Sequence, residues 1–441
     1  MKKYFLPILI AGCTLAPKYE TPKSPIAFQD SSTEVNQIKL VRFEEFFLSK
    51  EMQSVIQMAL ENNRDLKLAV LNIEKLRIKY NIKKSELFPN VDLEASYLKS
   101  SDKAQYSAGF SVAYEIDFFG KIQSLKNASL AEFLAEKENK KIVEIFLISE
   151  VVNLYLEAIK NKQNLLISEE ILDISNQNFE IINAKYNKGY ISKQELNDAI
   201  SYLEENKILY TESKKNFNES KNNLSLLVGK DIKDENLLAS FEDISFAENL
   251  LNEVPSSTLL KRPDIKKAEQ MLIASNANIG AARAAFFPSV SLTGFTGYAS
   301  DDLNNLFKSN YWEFNPKITL PIFTGGLNKA NLDLANLRKQ ESIILYEKAI
   351  ENAFYESLNA INLKSANKLS SDYALNSTNS KLEKHNIYKA RYSNGIETKE
   401  MMLKSHIEYL KSLQNTNEKR NQYYMSIANL YKVFGGGSEI N

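Results

Sequence analysis

The chain has 441 residues, 44% of them hydrophobic and 25% charged, and its 55 basic residues balance its 55 acidic ones. That length suits one large or two to three ordinary domains, and zero net charge leaves no basic excess to neutralise nucleic-acid phosphates. No run of about 18 uninterrupted apolar residues occurs, so a transmembrane helix is not expected.

Residues 1–12 have the layout of a secretory signal peptide: the basic Met1-Lys2-Lys3, an apolar Tyr4–Ile10 core, then small residues. Ile10-Ala11-Gly12-Cys13 resembles a bacterial lipobox, which implies cleavage before Cys13 and a covalent lipid (palmitate) on it. Thr14, in place of Asp, implies by the same resemblance sorting to the outer membrane. Cys13 is the chain's one cysteine, so no internal disulfide is available.

Residues 13–50 contain Pro17, Pro22 and Pro25 and read as an extended, lipid-anchored tether. A helical pattern follows from Met52, Val55, Ile56 and Ala59 through Leu66, Leu71 and Leu76 to Phe88-Pro89. Pro89 stops that helix and starts a strand. Residues 89–117 read as a β-hairpin. Val91, Leu93, Ala95 and Tyr97 alternate with polar residues in its first strand, and Tyr106, Ala108, Phe110, Val112, Tyr114 and Ile116 do so in its second. Period-2 alternation predicts one apolar and one polar face, and runs of about 10 residues match a membrane strand.

Residues 121–228 contain no proline and one glycine, Gly189; residues 327–434 contain no proline and, ahead of the terminal glycines, only Gly395. Glycine weakens a helix interior but supplies the left-handed residue that ends one, so each run reads as helix, turn, helix. A 121–187 arm would be roughly 100 Å long. Ile145, Ile148, Val152, Tyr155 and Ile159 recur at coiled-coil spacing, and Leu196, Leu203, Tyr210, Phe217 and Leu224 recur every seven residues. Leu147, Leu154 and Leu156 lie off that stripe and call for a further packing partner.

The chain also repeats itself. Asp65 returns as Asp264 and Phe88-Pro89 as Phe287-Pro288, 199 residues on; Gly120, Tyr186, Gly189 and Gly229 return as Gly326, Tyr392, Gly395 and Gly435, 206 residues on. The seven extra residues fall in the second hairpin, 288–322. There Val290 and Leu292 mark one strand, and Trp312, Phe314, Ile318, Leu320 and Ile322 the other. The predicted organisation is a tandem duplication: a first repeat 51–229, a linker 230–258, a second repeat 259–434, and a loose tail 435–441. The fold class is mainly α with a membrane β part. Four amphipathic strands cannot close a membrane barrel, so strands must be pooled between chains. Two chains give eight strands and three give twelve.

Several segments, in order, are similar to lipoprotein outer-membrane efflux ducts. They are Cys13-Thr14-Leu15-Ala16-Pro17-Lys18-Tyr19, Glu115-Ile116-Asp117-Phe118-Phe119-Gly120-Lys121, Leu260-Lys261-Arg262-Pro263-Asp264-Ile265, Pro321-Ile322-Phe323-Thr324-Gly325-Gly326, and the paired Tyr186-Asn187-Lys188-Gly189 and Tyr392-Ser393-Asn394-Gly395 turns. The chain resembles an outer-membrane factor of the TolC/OprM type. The resemblance implies a homotrimer with a twelve-stranded outer-membrane barrel and a twelve-helix periplasmic tunnel. It implies docking to a periplasmic adaptor (membrane fusion) protein and an inner-membrane RND-type transporter. It also implies that the two tips form an iris-like gate and the adaptor contact. This singles out Tyr186, Lys188, Gly189 and Glu195, and Arg391, Tyr392, Gly395, Met401 and Lys404. Glu195 keeps an acid where family members place one. Met401 and Lys404 stand where an acidic pair would fit, so an acidic ring is not implied there.

No catalytic signature, metal cluster or cofactor motif is expected from the residues. His385 and His406 read as residues of solvated helix faces. The expected function is a passive exit duct for drugs and other toxic small molecules. The alternatives are a duct for type I polypeptide secretion or metal-ion efflux, and a lipid-anchored periplasmic coiled-coil scaffold.

Overall fold

The computed structural model describes residues 14–26, 42–100, 103–247 and 256–436. Cys13, the signal segment 1–12 and the tail beyond 436 lie outside the described residues. The elements run α1 (Phe43–Phe46), α2 (Lys50–Asn62), α3 (Arg64–Ser85), β1 (Asn90–Lys99), β2 (Ala104–Ile116), α4 (Lys121–Asn187), α5 (Lys193–Val228), α6 (Pro263–Ala284), β3 (Ser289–Ser300), β4 (Asn310–Thr319), α7 (Leu327–Ser393) and α8 (Lys399–Val433). The chain divides into two compact units. One takes in Ala69–Lys140 and Asp264–Ile350 with residues 14–26; the other takes in Lys141–Pro263 with 42–68 and 351–436.

The first unit carries the four strands and the helical stretches that enter and leave them. Asp117 Oδ2 accepts from the backbone N–H of Gln123 at 2.7 Å, and Gly120 takes φ +67°, so the Asp-Phe-Phe-Gly run ends β2 and opens α4. Phe119 stacks on Phe287 with ring centroids 4.7 Å apart. Ala128 and Ala131 of α4 pack on Ala274 and Ala277 of α6, a small-residue seam that lets the two backbones approach closely. Residues 14–19 lie along α6. Glu269, Asn276 and Arg283, seven residues apart, meet Tyr19 Oη (3.4 Å), the Pro17 carbonyl (2.8 Å) and the Leu15 carbonyl (3.2 Å). Gly280 sits against Ala16, where a Cβ would come within 2.8 Å of the Ala16 nitrogen.

The second unit has the larger core. Ile148, Val152, Tyr155 and Ile159 are buried as their spacing predicts. Leu147 and Leu156 are buried too, and Leu154 packs against the same cluster. The partner those residues needed is in the same chain: α8 through Ile427, Ala428 and Tyr431, and α2 through Met52, Val55 and Ile56. Each large aliphatic side chain among them, removed from water, stabilises by about 1.5–3 kcal/mol. Tyr155 is fully buried, and its hydroxyl oxygen accepts from the Leu238 N–H at 3.1 Å; burial pushes its phenol pKa up.

Three expectations change here. The tether does not run to residue 50: Phe46 and Phe47 are fully buried, with Phe46 stacked on Tyr431 at 5.4 Å. An aromatic cluster outweighs the proline-rich composition that precedes it. The helix expected from Met52 to Phe88 is broken at Asn63, which takes ψ 134°. Its Oδ1 accepts from the Leu66 N–H, capping α3, and its Nδ2 donates to the Leu227 carbonyl. Third, the residues expected to open a loose tail are held: Gly435 and Gly436 are buried, and the Gly436 N–H donates to the Tyr431 carbonyl at 2.9 Å.

The repeat is visible in hydrogen bonding as well as in sequence. Asn63 reaches the Leu227 carbonyl at 2.8 Å; Arg262, its equivalent 199 residues on, reaches Val433, the equivalent of Leu227 206 residues on, also at 2.8 Å. Both bonds fasten the start of a repeat to the end of its own helical hairpin.

Candidate functional site

Two features concentrate the unusual chemistry: the faces of the sheet and the tips of the helical hairpins. The sheet is an antiparallel meander of order β1-β2-β3-β4. Its register aligns Leu93 with Phe110, Phe110 with Thr296, and Thr296 with Trp312. Because alternate residues share a face, this places Val91, Leu93, Tyr97, Phe110, Val112, Tyr114, Leu292, Trp312, Phe314 and Ile318 on one side. Asp92, Glu94, Ser96, Ser107, Ser111, Glu115, Ser291, Thr293, Glu313, Asn315 and Lys317 occupy the other. Two cross-strand contacts mark the two faces: Tyr97 stacks on Tyr106 at 4.8 Å, and Ser96 bonds Ser107 at 2.7 Å.

The apolar face is unusual for its exposure. Leu93 is 75% exposed and Trp312 76% exposed, and a patch of this size is not left to water in a soluble monomer. No helix among the described residues is long and apolar enough to cross a membrane. The strands, of 10 to 13 residues, have the length of tilted membrane strands. β4 ends at Thr319, short of the expected Leu320 and Ile322, because Pro321 has no N–H for the ladder. The extra residues of the second hairpin form a loop with a 3-10 turn, Leu303–Lys308, that puts Phe307 against Tyr298 at 5.5 Å. Pro89 and Pro288 each lie one residue ahead of a strand, β1 and β3.

At the tips, Gly189 takes φ +76° and Gly395 φ +70°. The bonding is the same at both. Gly189 and Gly395 donate to the carbonyls of Tyr186 and Tyr392, and Tyr190 and Ile396 donate to those of Lys185 and Arg391, at 2.8–3.0 Å. This Schellman arrangement satisfies the last helical carbonyls. Tyr186 lies under the Lys193 ammonium, 5.3 Å away, while Lys188 and Lys404 are exposed.

Glu195 has a local role. Its carboxylate accepts from the Ser192 N–H at 2.7 Å while Ser192 Oγ accepts from its own N–H, a capping box that opens α5. The backbone hydrogen bond from Ser192 holds the Glu195 carboxyl below its ordinary pKa. Met401 occupies the equivalent position in α8 and cannot return the bond; Glu397 accepts from the Thr398 N–H instead, at 3.1 Å. Arg391 lies 3.9 Å from Glu397.

Sequence reasoning missed two sets of residues here. Lys185 pairs with Glu400 at 2.7 Å, tying the end of α4 to the first turn of α8; their separation of 215 residues gave no signal. His385 and His406 are not on solvated faces. They stack on each other between α7 and α8, with His385 only 8% exposed. Folding the chain about Gly395, which lies ten residues after one and eleven before the other, would have found them.

An open meander with one bare apolar face, on a chain of otherwise long helices, defines a class: a helical protein whose sheet is finished in a membrane. Residues 55–230 and 254–436 match, as two stretches, the family described as outer membrane efflux protein, and the chain belongs to it. It is 34% identical to the cation efflux system protein CusC of Escherichia coli O6:H1 over 81% of each chain. It is 32% identical to the solvent efflux pump outer membrane protein SrpC of Pseudomonas putida, over 99% of this chain and 98% of that one. The solved structure of a membrane protein from Pseudomonas aeruginosa shares its fold at a TM-score of 0.85 and 30% identity, covering 96% of this chain and 98% of that one. The family is one of transport proteins of the outer membrane, with a long periplasmic helical part.

Proposed function

We propose that three copies of this chain close their sheets into one twelve-stranded barrel and serve as the outer-membrane exit duct of a tripartite efflux pump. The observation that carries this is the sheet's two open edges beneath a continuous apolar face. In hydrocarbon each unpaired backbone group costs several kcal/mol, so an open sheet is tolerated only when other strands complete it. Twelve strands leave room for a lumen, whereas eight are nearly filled by side chains. The face bearing Asp92, Glu94, Ser111 and Thr293 then lines water. Cys13 carries the lipid, and the barrel is the main anchor.

The tips near Gly189 and Gly395 are the periplasmic entrance in this reading, where a periplasmic adaptor docks and an iris-like gate opens. The Lys185–Glu400 pair fastens α4 to α8 at that end. The duct is passive: an inner-membrane RND-type transporter supplies the energy, and drugs and other toxic small molecules are the cargo. The test is crosslinking and unheated electrophoresis of the outer-membrane fraction, with drug, bile-salt and metal-ion susceptibility of a deletion strain. A heat-sensitive trimer and a hypersusceptible deletion strain are expected. A monomer released by a salt wash would overturn the reading.

A further inference from the structure

The chain has only two histidines, and they are packed against each other. His385 of α7 and His406 of α8 lie with ring centroids 4.3 Å apart and planes 14° from parallel. Tyr409 continues the stack, 6.2 Å from His406 and 9° from its plane. His385 Nδ1 is 3.2 Å from Ser405 Oγ, and His406 Nε2 is 3.3 Å from Glu170 Oε1 on α4. Three helices therefore meet at the pair. It sits about two turns from the tip, since α7 ends at Ser393 and α8 begins at Lys399.

The charges around the stack are specific to each helix. Glu170 comes from α4 and faces His406; Lys389 comes from α7 and acts on both rings. Lys384 of α7 and Glu408 of α8 are engaged with each other at 2.7 Å. Among the described residues no group of three or more His, Cys, Asp or Glu could hold a metal ion, and rings stacked face to face direct their nitrogens sideways. Protonation is the chemistry left to this arrangement.

We propose that His385 and His406 form an acid-sensitive clasp between α7 and α8, closed when both rings are neutral and forced apart when both are protonated. The first proton is tolerated on His406, because the Glu170 carboxylate faces it. The second, on His385, has only the Met402 backbone carbonyl in place of a carboxylate and meets a like charge across the stack, besides Lys389. Burial lowers the pKa of both rings; the other ring and Lys389 lower His385 further, against the Met402 hydrogen bond, and Glu170 partly opposes the effect of burial and Lys389 at His406. A histidine that is harder to protonate in the folded state stabilises it above the unfolded pKa, about 6.5, and that contribution is lost as pH falls through the folded values. The clasp is thus closed at neutral pH and loosens on acidification. That loosening opens the duct only if the tip is the gate, as proposed above.

The test is hydrogen exchange on the full-length purified protein at pH 7.5 and 5.0, corrected for intrinsic exchange rates, with channel conductance in planar bilayers under the same conditions. In the wild type, exchange in 380–390 and 401–410 is expected to rise by about tenfold or more at pH 5.0. The histidine-free tip at 181–200 is expected to stay unchanged. The double variant H385F/H406F keeps an aromatic stack without titratable groups and should lose the response. H406F alone, which leaves no like-charge pair, should lose most of it and serves if the double variant does not assemble. A wild type without the pH response, or a response the variants retain, would overturn the clasp. A response in exchange without one in conductance would uphold the clasp and count against the tip as the gate.

Discussion

Gly109 and Gly297 face each other across β2 and β3, and neither position has room for a side chain. A Cβ on Gly297 would lie 2.5 Å from the Gly109 Cα and closer still to the Ala108 carbonyl oxygen. One on Gly109 would strike the Phe295 ring at 2.8 Å. Two strands that come this close on bare backbone hold their register by exclusion as much as by pairing. Gly297→Val is therefore expected to break the β2–β3 ladder and abolish the heat-resistant oligomer on unheated gels. Gly294→Ala, whose added carbon would meet only the Glu313 carbonyl at 3.5 Å, should leave it intact. Glu195 shows the opposite economy: an acid singled out near the proposed gate is already occupied in starting a helix.

At the scale of elements, α8 meets its two neighbours through different materials. The cluster on α4 facing α8 is Ile167, Ile171 and Ile174 against Leu403, Ile407 and Leu410. The α7–α8 seam instead buries hydroxyls: Thr378 Oγ1 bonds both Ser412 and Thr416, at 2.8 Å each. A buried hydroxyl that loses its partner costs about 1–3 kcal/mol, whereas removing both partners costs less. Thr378→Val should lower stability by about 1–2 kcal/mol in thermal unfolding. A double-mutant cycle with Thr416→Val should show that the two losses do not add. The strands and long helices were legible because their periods, 2 and 3.5, are written locally, and the register then carried that alternation across all four strands. Lys185–Glu400 was not, because it depends on where a distant helix comes to lie; the histidine stack needs only the chain folded about Gly395, and the break at Asn63 is marked locally by its cap on Leu66. Phe43, Phe46 and Phe47 were hidden differently: a four-residue helix is too short to show a period, and only the core that receives it reveals it.

For the whole molecule, the two faces of the sheet make opposite demands on substitutions one residue apart. Leu93 and Glu94 are neighbours in β1 and point to different solvents in the proposed barrel. Leu93→Arg puts a charge on the lipid side, at about 2–4 kcal/mol near the bilayer midplane, and should deplete the trimer from the outer-membrane fraction. Glu94→Gln should leave the amount of trimer unchanged and alter only ion flow; equal loss from both variants would contradict the assignment of faces. The sheet order has a further consequence. Three of the strand seams are closed within the chain, β1–β2, β2–β3 and β3–β4, and the outer edges of β1 and β4 belong to different halves of the duplication. Any seam joining one protomer's β4 to the next one's β1 therefore repeats, between molecules, the half-to-half junction that β2–β3 makes within one. Maturation of such a pore has a molecularity: its last backbone bonds form only on encounter, so supply of chains governs the yield of finished channels more steeply than it governs the folding of any one copy.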